Sequence, residues 1–363
     1  MFATFSRIFL AFCLILLLGC SPKPTAYHQQ LLVFGTIVDI KLWGVEEKQG
    51  QQIVAQLDED FKYMHRAWHA WQAGPLTRTN FFLASGKPFT GGPSVLPLIK
   101  RSTELSTLSG GLFNPAIGNL IALWGFASDE PPEGPPPSPE EIQNLLDQHP
   151  SMDSVAVDGI TIQGSNPATR LDFGAFAKGY AVDRTIETLR EAGIQHAVVN
   201  AGGDLRAIGQ HGSRPWRVGI RHPRQPGILA SVETTEDESI FTSGDYERYF
   251  EWQGKRYDHI IDPRTGYPAE GLSSVTIFAD KADLADAAAT ALLVAGPKNW
   301  LPVARAMGIK GAMLVDEQGV VQITPGIRDR IHFETKTLPQ IIVSEALFPE
   351  IPVKEGQGAE ARQ

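Results

Sequence analysis

The sequence has almost no cysteine and no excess of positive charge. Its 363 residues contain two cysteines, Cys13 and Cys20, both close to the N-terminus. The rest of the chain therefore has no disulfide, no thiol nucleophile, no iron–sulfur cluster and no cysteine zinc site. The formal net charge is −9. We expect no nucleic-acid partner, because such a protein needs a basic face against the phosphates.

The N-terminal apolar run is too short to span a bilayer. It covers residues 8–18, well below the ~20 residues of a transmembrane helix, and suits the apolar region of a secretory signal. The run ends in LLGC at residues 17–20, which resembles a bacterial lipobox. We predict that residues 1–19 are a cleaved signal, that Cys20 carries lipid, and that residues 20–30 form a tether. A plain cleaved signal with an incidental cysteine is the alternative.

Segments with helical and strand periodicity alternate along the rest of the chain, which predicts an α+β fold and not a doubly wound parallel sheet. We expect one domain over residues 31–345, interrupted by a proline-rich surface loop at 129–138, and a polar tail over 346–363. The predicted helices cover residues 51–71, 176–191 and 280–293, and the predicted strands cover 31–42, 196–200, 216–220, 239–242 and 257–261.

Small residues and glycines surround Lys178 in LDFGAFAKGY, residues 171–180, where the pattern predicts a helix start. Free N–H groups and the positive end of the helix dipole favour a phosphate there, and Lys178 lies in the first turn. A tightly packed corner with an exposed lysine explains the same pattern.

Two polar loops follow predicted strands. NAGGD at residues 200–204 contains paired glycines, which let backbone approach a ligand closely. TSGDYER at residues 242–248 offers hydroxyls and amides to a ribose or a phosphate. Ordinary hairpin turns are the alternative for both loops.

His259 is a candidate general base. Period-two alternation places it on one face of a predicted strand, with Asp262 at the start of the following turn. A neutral imidazole near a carboxylate can accept a proton at neutral pH. A histidine that only makes structural hydrogen bonds is the alternative.

Asp286 and Thr290 are four residues apart on an alanine-rich predicted helix and therefore share a face. A carboxylate and a hydroxyl are hard oxygen ligands that suit Mg²⁺, which completes its octahedron with water and phosphate oxygens. Asp283 lies one turn earlier and joins the candidate metal site. The alternative for Asp283 is that it caps the helix start together with Asp280.

The order of these motifs strongly resembles the family of FAD:protein FMN transferases, the ApbE-like flavin transferases. The motifs are LDFGAFAKGYAVDR, NAGGDLRAIG, TSGDYERYF, HIIDPRTGYP and ADLADAAATALLVAG, and the resemblance extends over residues 31–315. It implies a mixed-sheet, two-lobed, T-fold-like α+β domain with FAD in the cleft between the lobes. It also implies Mg²⁺ held by the backbone carbonyl of Ala175 and by Asp286 and Thr290.

The resemblance further implies a set of flavin-site positions, some of them altered here. Asn114 stands where the family usually has aspartate, and Phe34 where it usually has methionine before Gly-Thr. Residues 65–80 hold Trp68, His69 and Trp71 in place of a serine-rich segment. The implied FAD-binding positions are Phe34, Gly35, Asn114, Asp172, Lys178, Gly203, Asp204, Ser243, Gly244 and His259.

The implied reaction transfers FMN from FAD, as substrate, to a threonine or serine hydroxyl of another protein and releases AMP. The expected roles are charge stabilisation for Lys178, proton acceptance for His259, and orientation of His259 for Asp262. An FAD pyrophosphatase and a non-catalytic FAD-binding lipoprotein are the alternatives. We expect the acceptor to be a membrane redox-complex subunit, and the enzyme to be lipid-anchored at the periplasmic face of a bacterial membrane, with the inner membrane favoured.

Overall fold

The computed structural model describes residues 26–348, so the expected signal, the expected lipidation site Cys20 and most of the polar tail lie outside the described residues. The helices are α1 (Glu47–Trp68), α2 (Pro75–Ala84), α3 (Leu96–Leu108), α4 (Gly118–Leu123), α5 (Pro139–Leu146), α6 (Ala177–Glu191), α7 (Ala282–Met307) and α8 (Pro325–Arg328). A 3₁₀ turn covers Met152–Ser154.

The strands are β1 (Ala26–Val33), β2 (Thr36–Trp43), β3 (Phe89–Thr90), β4 (Val155–Asp158), β5 (Thr161–Gly164), β6 (Ala197–Ala201), β7 (Asp204–Ile208), β8 (Arg217–Arg221), β9 (Ile228–Glu233), β10 (Asp237–Gly244), β11 (Tyr249–Trp252), β12 (Lys255–Asp258), β13 (Leu272–Ala279), β14 (Gly311–Asp316), β15 (Val321–Ile323), β16 (Ile331–Phe333) and β17 (Ile341–Val343). With the helices they form a mixed α/β fold, as predicted.

A nine-stranded sheet dominates the architecture, in the order β1-β2-β6-β7-β10-β13-β14-β15-β17. Its neighbours pair antiparallel except β15 and β17, which pair parallel. The sheet is therefore mixed. Smaller sheets are formed by β3-β5-β4, by β16-β9-β8 and by the hairpin β11-β12.

Hydrophobic cores cover both faces of the large sheet. On one face, the alanine-rich α7 packs against β10 and β13 while α6 packs against β6 and β7, and all eight residues of β13 are buried. Alanines allow this close approach of helix and sheet because they project little beyond the backbone. On the other face, Trp216 packs against the sheet together with Val218 and Ile220 of β8. The two buried faces hold the central strands firmly, and the site lies at one end of these strands.

A third apolar cluster supports the segment that follows β12. It contains Trp124 and Phe126 together with Phe250 and Ile261. The Trp124 indole donates to the Gly266 carbonyl at 2.7 Å. This cluster determines where the backbone beyond Asp258 runs.

Four boundaries differ from the sequence predictions. The single strand predicted over 31–42 is the hairpin β1-β2, because Phe34 and Gly35 both have positive φ, 56° and 69°. β1 begins at Ala26, so residues 26–30 belong to the sheet and not to a tether. β12 ends at Asp258, which puts His259 just beyond the strand. The last long helix continues past a kink at Gly296 (φ 74°).

The proline-rich stretch at 129–138 contains no helix or strand, as predicted. Among residues 26–348, no helix is both long and apolar enough to cross a membrane.

Candidate active site

The starts of α6 and α7 meet at Gly179. A Cβ at this position would collide with the carbonyl oxygen of Ala282, so only glycine permits the approach. Gly179 donates its N–H to Asp286 Oδ2 at 2.9 Å. Gly179 is the third residue of α6, so its N–H has no acceptor within its own helix, and Asp286 supplies one. Ala175 lies just before the N-cap residue Phe176 of the same helix.

Asp286 is a buried carboxyl with too little positive charge around it. Burial raises its pKa to about 7; Lys178 opposes this rise, whereas Asp204 adds to it. One turn further along α7, the hydroxyl of Thr290 lies 3.4 Å from that of Ser243 on β10. The sequence-predicted oxygen donors are therefore brought together at one place.

The residues present fit a magnesium ion. Their donors are a carboxylate, a hydroxyl and a backbone carbonyl, which is the hard oxygen chemistry that Mg²⁺ prefers. A divalent cation would also relieve the excess negative charge that burial imposes on Asp286. Within residues 26–348, no group of three or more His, Cys, Asp or Glu side chains forms a metal cluster. Mg²⁺ is usually held by one or two carboxylates, and water and phosphate oxygens complete its octahedron.

Lys178 forms an ion pair with Asp204, the first residue of β7. The other oxygen of Asp204 accepts the backbone N–H of Thr242 at 2.9 Å, which ties β7 to β10. Burial lowers the pKa of Lys178, but the carboxylates of Asp204 and Asp286 outweigh burial and raise it. Lys178 is therefore a permanent cation, suited to an anionic diphosphate.

Glu247 is a further acidic residue near Lys178, and its sequence motif did not single it out. Burial raises its pKa, Lys178 lowers it, and Asp204 raises it further, so Glu247 lies within electrostatic reach of the same site. The sequence did contain an indication of Glu247, because this residue belongs to the polar loop TSGDYER. Three acidic side chains, those of Asp204, Glu247 and Asp286, thus surround one lysine, and their excess negative charge favours a cation.

His259 is half-buried and held by the backbone of Arg248. Its Nδ1 lies 3.1 Å from the Arg248 carbonyl oxygen, which also accepts the His259 backbone N–H. A carbonyl can only accept, so Nδ1 carries the proton and Nε2 has a free lone pair. Burial, with help from the positive charges of Arg248 and Lys178, lowers the pKa of His259 to about 4. The imidazole is therefore neutral at neutral pH and can accept a proton.

Asp262 does not orient His259, contrary to the prediction. Its carboxylate binds the Arg264 side chain, with Nε and Nη2 at 2.9 and 2.7 Å from its two oxygens. It also accepts the Arg264 backbone N–H, which closes the turn. The Arg248 carbonyl has the orienting role that we had assigned to Asp262.

Asp283 is also not placed as a metal ligand. Arg101 of α3 binds both of its oxygens, Nε at 2.7 Å and Nη2 at 3.1 Å. The alternative prediction is confirmed in position, because Asp283 lies in the first turn of α7. The carboxylate that accepts the first amides of this helix is that of Asp183, however. Arg101 is 182 residues away in sequence, so no local sequence pattern could predict the Arg101–Asp283 ion pair.

Two segments predicted to contact flavin meet beside the site. Asp172 donates its N–H to the carbonyl of Pro115, and its side chain accepts the Gly174 N–H, both at 2.8 Å. Burial raises the pKa of the Asp172 carboxyl. Asn114 donates to the Pro150 carbonyl and accepts the Ala116 N–H, so its amide closes its own loop. An aspartate would lack the donor for Pro150.

The β1-β2 turn lies beside the glycine turn between β6 and β7, because β2 pairs with β6. A Cβ at Gly202 would collide with the Thr36 hydroxyl, and Gly203 donates its N–H to Asn200 Oδ1 at 2.8 Å. Phe34 stacks parallel to Trp68 at 6.5 Å between ring centroids, and Trp68 meets Tyr180 of α6 at 5.7 Å. This aromatic row connects the turn to the helix that carries Lys178.

The remaining predicted contacts, Ser243 and Gly244, lie at the end of β10. The ring of Tyr246 packs over Gly244, where a Cβ would collide with it. The structure therefore brings Lys178, Asp204, Ser243, Asp286 and Thr290 together, and leaves Asp262 and Asp283 in other ion pairs.

The chain is similar in sequence and structure to several known proteins. The ApbE family profile matches residues 34–313. An FAD:protein FMN transferase from Rhodobacter capsulatus is 43% identical over 86% of this chain and 59% of its own length. One from Treponema pallidum is 31% identical over 86% of this chain and 91% of its own length. The crystal structure of an ApbE protein from Thermotoga maritima matches with a TM-score of 0.76 at 31% identity, covering 84% of this chain and 99% of that chain. The chain thus spans under two thirds of the Rhodobacter protein and nearly all of the other two.

Proposed function

The chain belongs to the ApbE family and is a flavin transferase, and we propose that it passes FMN from FAD to a threonine or serine hydroxyl of an acceptor protein, releasing AMP, with Mg²⁺ as cofactor. FMN transfer from FAD to protein is the activity that names its relatives from Rhodobacter capsulatus and Treponema pallidum. The FAD substrate would occupy the cleft beside Lys178, Asp172 and the aromatic row at Phe34.

One observation carries the metal part of the proposal. The buried carboxyl of Asp286 has its pKa raised to about 7, lies one helical turn from the hydroxyl of Thr290, and accepts the Gly179 N–H in the first turn of α6, four residues after Ala175. Mg²⁺ bound by the side chains of Asp286 and Thr290 and by the Ala175 carbonyl would neutralise the diphosphate of FAD and polarise the bond to be broken.

The protein side chains have two further tasks. The ammonium of Lys178 pairs with the diphosphate and offsets the charge that develops on it. Nε2 of His259 takes the proton from the acceptor hydroxyl as its oxygen attacks the phosphorus of the FMN half. A new P–O bond to the acceptor forms, the P–O bond to AMP breaks, and AMP leaves with the electron pair.

The pKa of His259 fits this role once substrate is present. In the protein alone, the nearby positive charges of Lys178 and Arg248 help to lower that pKa. The negative charges of a bound diphosphate oppose this effect and raise the pKa towards neutrality, where general-base catalysis is most effective.

An assay of FAD cleavage tests whether the protein is a catalyst or only a carrier. Purified protein is incubated with excess FAD and Mg²⁺, or with FAD and EDTA, and AMP is measured with an acceptor present. We expect several AMP per protein molecule with Mg²⁺ and none with EDTA. Unchanged FAD in both samples would identify a flavin carrier. Equal turnover in both samples would refute the metal assignment alone.

The acceptor and the location belong to the same proposal. We propose that the acceptor is a membrane redox-complex subunit, and that a lipid on Cys20 anchors the enzyme at the periplasmic face, with the inner membrane favoured. Support comes from the LLGC motif at the end of an apolar run. Fractionation of wild-type and Cys20→Ser protein tests the anchor: the variant is expected to leave the membrane fraction, and its retention there would contradict lipidation.

A further inference from the structure

A buried ion cluster connects the elements that carry the candidate site. Arg206 of β7 donates Nη1–H to Asp183 of α6, and its Nε and Nη2 lie 3.0 Å from the two oxygens of Asp237 at the start of β10. The Arg206 side chain is only 2% exposed. Buried charges are costly unless they are paired and hydrogen-bonded, and the buried charges of Arg206 and Asp183 are paired here. Asp237 is partly exposed and also binds Arg190 of α6 at 2.6 Å.

The cluster lies parallel to the Lys178–Asp204 ion pair. Asp204 and Arg206 are two residues apart on β7, so their side chains project from the same face of the sheet. Asp204 meets Lys178 in the first turn of α6, and Arg206 meets Asp183 further along the same helix. Two successive ion pairs thus hold α6 to β7.

Asp183 also caps the other helix of the site. Its two oxygens accept the N–H groups of Ala282 and Asp283, each at 3.0 Å, in the first turn of α7. In return, Asp286 of α7 accepts the N–H of Gly179 in α6 at 2.9 Å. We call these crossed bonds, Asp183 to the α7 amides and Asp286 to the Gly179 amide, the reciprocal clasp. Each helix start is capped by an aspartate of the other helix.

We propose that Asp183, held by Arg206, is a positioning residue for the magnesium site. The inference rests on the proposed function. Asp183 binds the first turn of α7, and Asp286 and Thr290 follow on the next two turns of the same helix. Displacement of this first turn would separate Asp286 from Gly179 and from Ser243 on β10. Residues that orient metal ligands in this way typically contribute about 10–100-fold to metal affinity.

A purely structural role for the cluster predicts lost stability without a specific effect on the metal. The chain offers a matched control in the same strand. Glu238 follows Asp237 on β10 and projects to the opposite face. Its side chain is fully buried, and it binds Nη1 and Nη2 of Arg330 at 2.9 and 2.5 Å. This is a buried arginine–carboxylate pair outside the site.

The experiment compares Asp183→Asn with Glu238→Gln in the full-length protein. Mn²⁺ serves as the probe, and electron paramagnetic resonance measures its binding without FAD. We expect Asp183→Asn to bind Mn²⁺ about 10–100-fold more weakly than wild type, and Glu238→Gln to stay within about threefold. Transfer by Asp183→Asn should need more Mg²⁺ for half-maximal rate and approach the wild-type rate at saturation.

Several outcomes would overturn the inference. Unchanged Mn²⁺ affinity in Asp183→Asn, or an equal loss in Glu238→Gln, would leave the cluster only a structural role. If Asp183→Asn does not fold, Arg206→Lys replaces it: this variant keeps the charge and loses the planar fork, and it should still weaken Mn²⁺ binding. Wild-type protein that binds no Mn²⁺ would refute the metal site and this inference together. Wild-type protein that binds Mn²⁺ but does not transfer FMN would refute only the proposed function.

Discussion

Replacement of Asp286 by asparagine should stabilise the metal-free protein while removing its metal site. Burial raises the pKa of this carboxyl from 3.8 to about 7. At a pH between these two values, the Asp286 carboxyl keeps its proton in the folded state and loses it in the unfolded state. Stability falls as pH rises through this range and stays low above it. The difference corresponds to about 4 kcal/mol at ~1.36 kcal/mol per pH unit.

Asparagine removes the charge and keeps an oxygen for the Gly179 N–H, but it does not reproduce every contact of the carboxylate. We therefore expect Asp286→Asn to gain about 1–3 kcal/mol in EDTA at about pH 8, seen as a rise of about 2–8 °C in melting temperature. Mg²⁺ should raise the melting temperature of wild type and leave that of the variant unchanged, because only the former binds it. Transfer activity should be lost.

Asp283→Asn is the matched control, on the same helix and one turn away. Its carboxylate is fully paired with Arg101, so loss of its charge should lower the melting temperature. The two neighbouring substitutions are therefore expected to change the melting temperature in opposite directions. If Asp286→Asn melts below wild type in EDTA, the buried Asp286 carboxylate does not lack compensating positive charge, and our explanation is refuted.

Three further results are expected. Mn²⁺ affinity should fall as pH drops below about 7, by up to tenfold per pH unit, because protons compete for Asp286; a flat profile from pH 5 to 8 in titrations would contradict this. His259→Ala should slow single-turnover transfer by about 10²–10⁴-fold and keep FAD affinity within a few-fold, since its task is proton transfer; weakened FAD binding with an intact chemical step would remove it from catalysis. Asp283→Ala should lose about 1–3 kcal/mol of stability by removing the bidentate partner of Arg101, which then keeps only its bond to Glu104, yet bind Mn²⁺ within about threefold of wild type; an equal loss of affinity at Asp283 and Asp286 would make Asp283 a ligand.

The parts of the site that the sequence predicted depend on short-range periodicity. Asp286 and Thr290 share a face because they are four residues apart on a helix. Lys178 lies in the first turn of α6, whose start the small residues and glycines indicated. Gly193 follows the C-cap residue Ala192 of this helix and has a positive φ of 79°, a conformation that glycine adopts readily.

The parts that sequence reasoning missed depend on contacts between distant segments. The partner of Asp283 is 182 residues away, and the carbonyl that orients His259 belongs to Arg248 across a hairpin. A backbone carbonyl has no residue signature, so an acidic neighbour such as Asp262 looked like the better candidate. The β1-β2 turn was missed for a local reason: positive φ at Phe34 is rare for a bulky residue and could not be expected.

The central claim is that the enzyme joins FMN covalently to a protein hydroxyl. The most direct test is the intact mass of an acceptor domain with a single flavinylation threonine after incubation with enzyme, FAD and Mg²⁺. The account predicts an added FMN phosphoester on this domain, with one AMP released per flavin attached and no addition to its Thr→Val variant. AMP and free FMN in equal amounts with an unmodified acceptor would contradict it and identify an FAD pyrophosphatase.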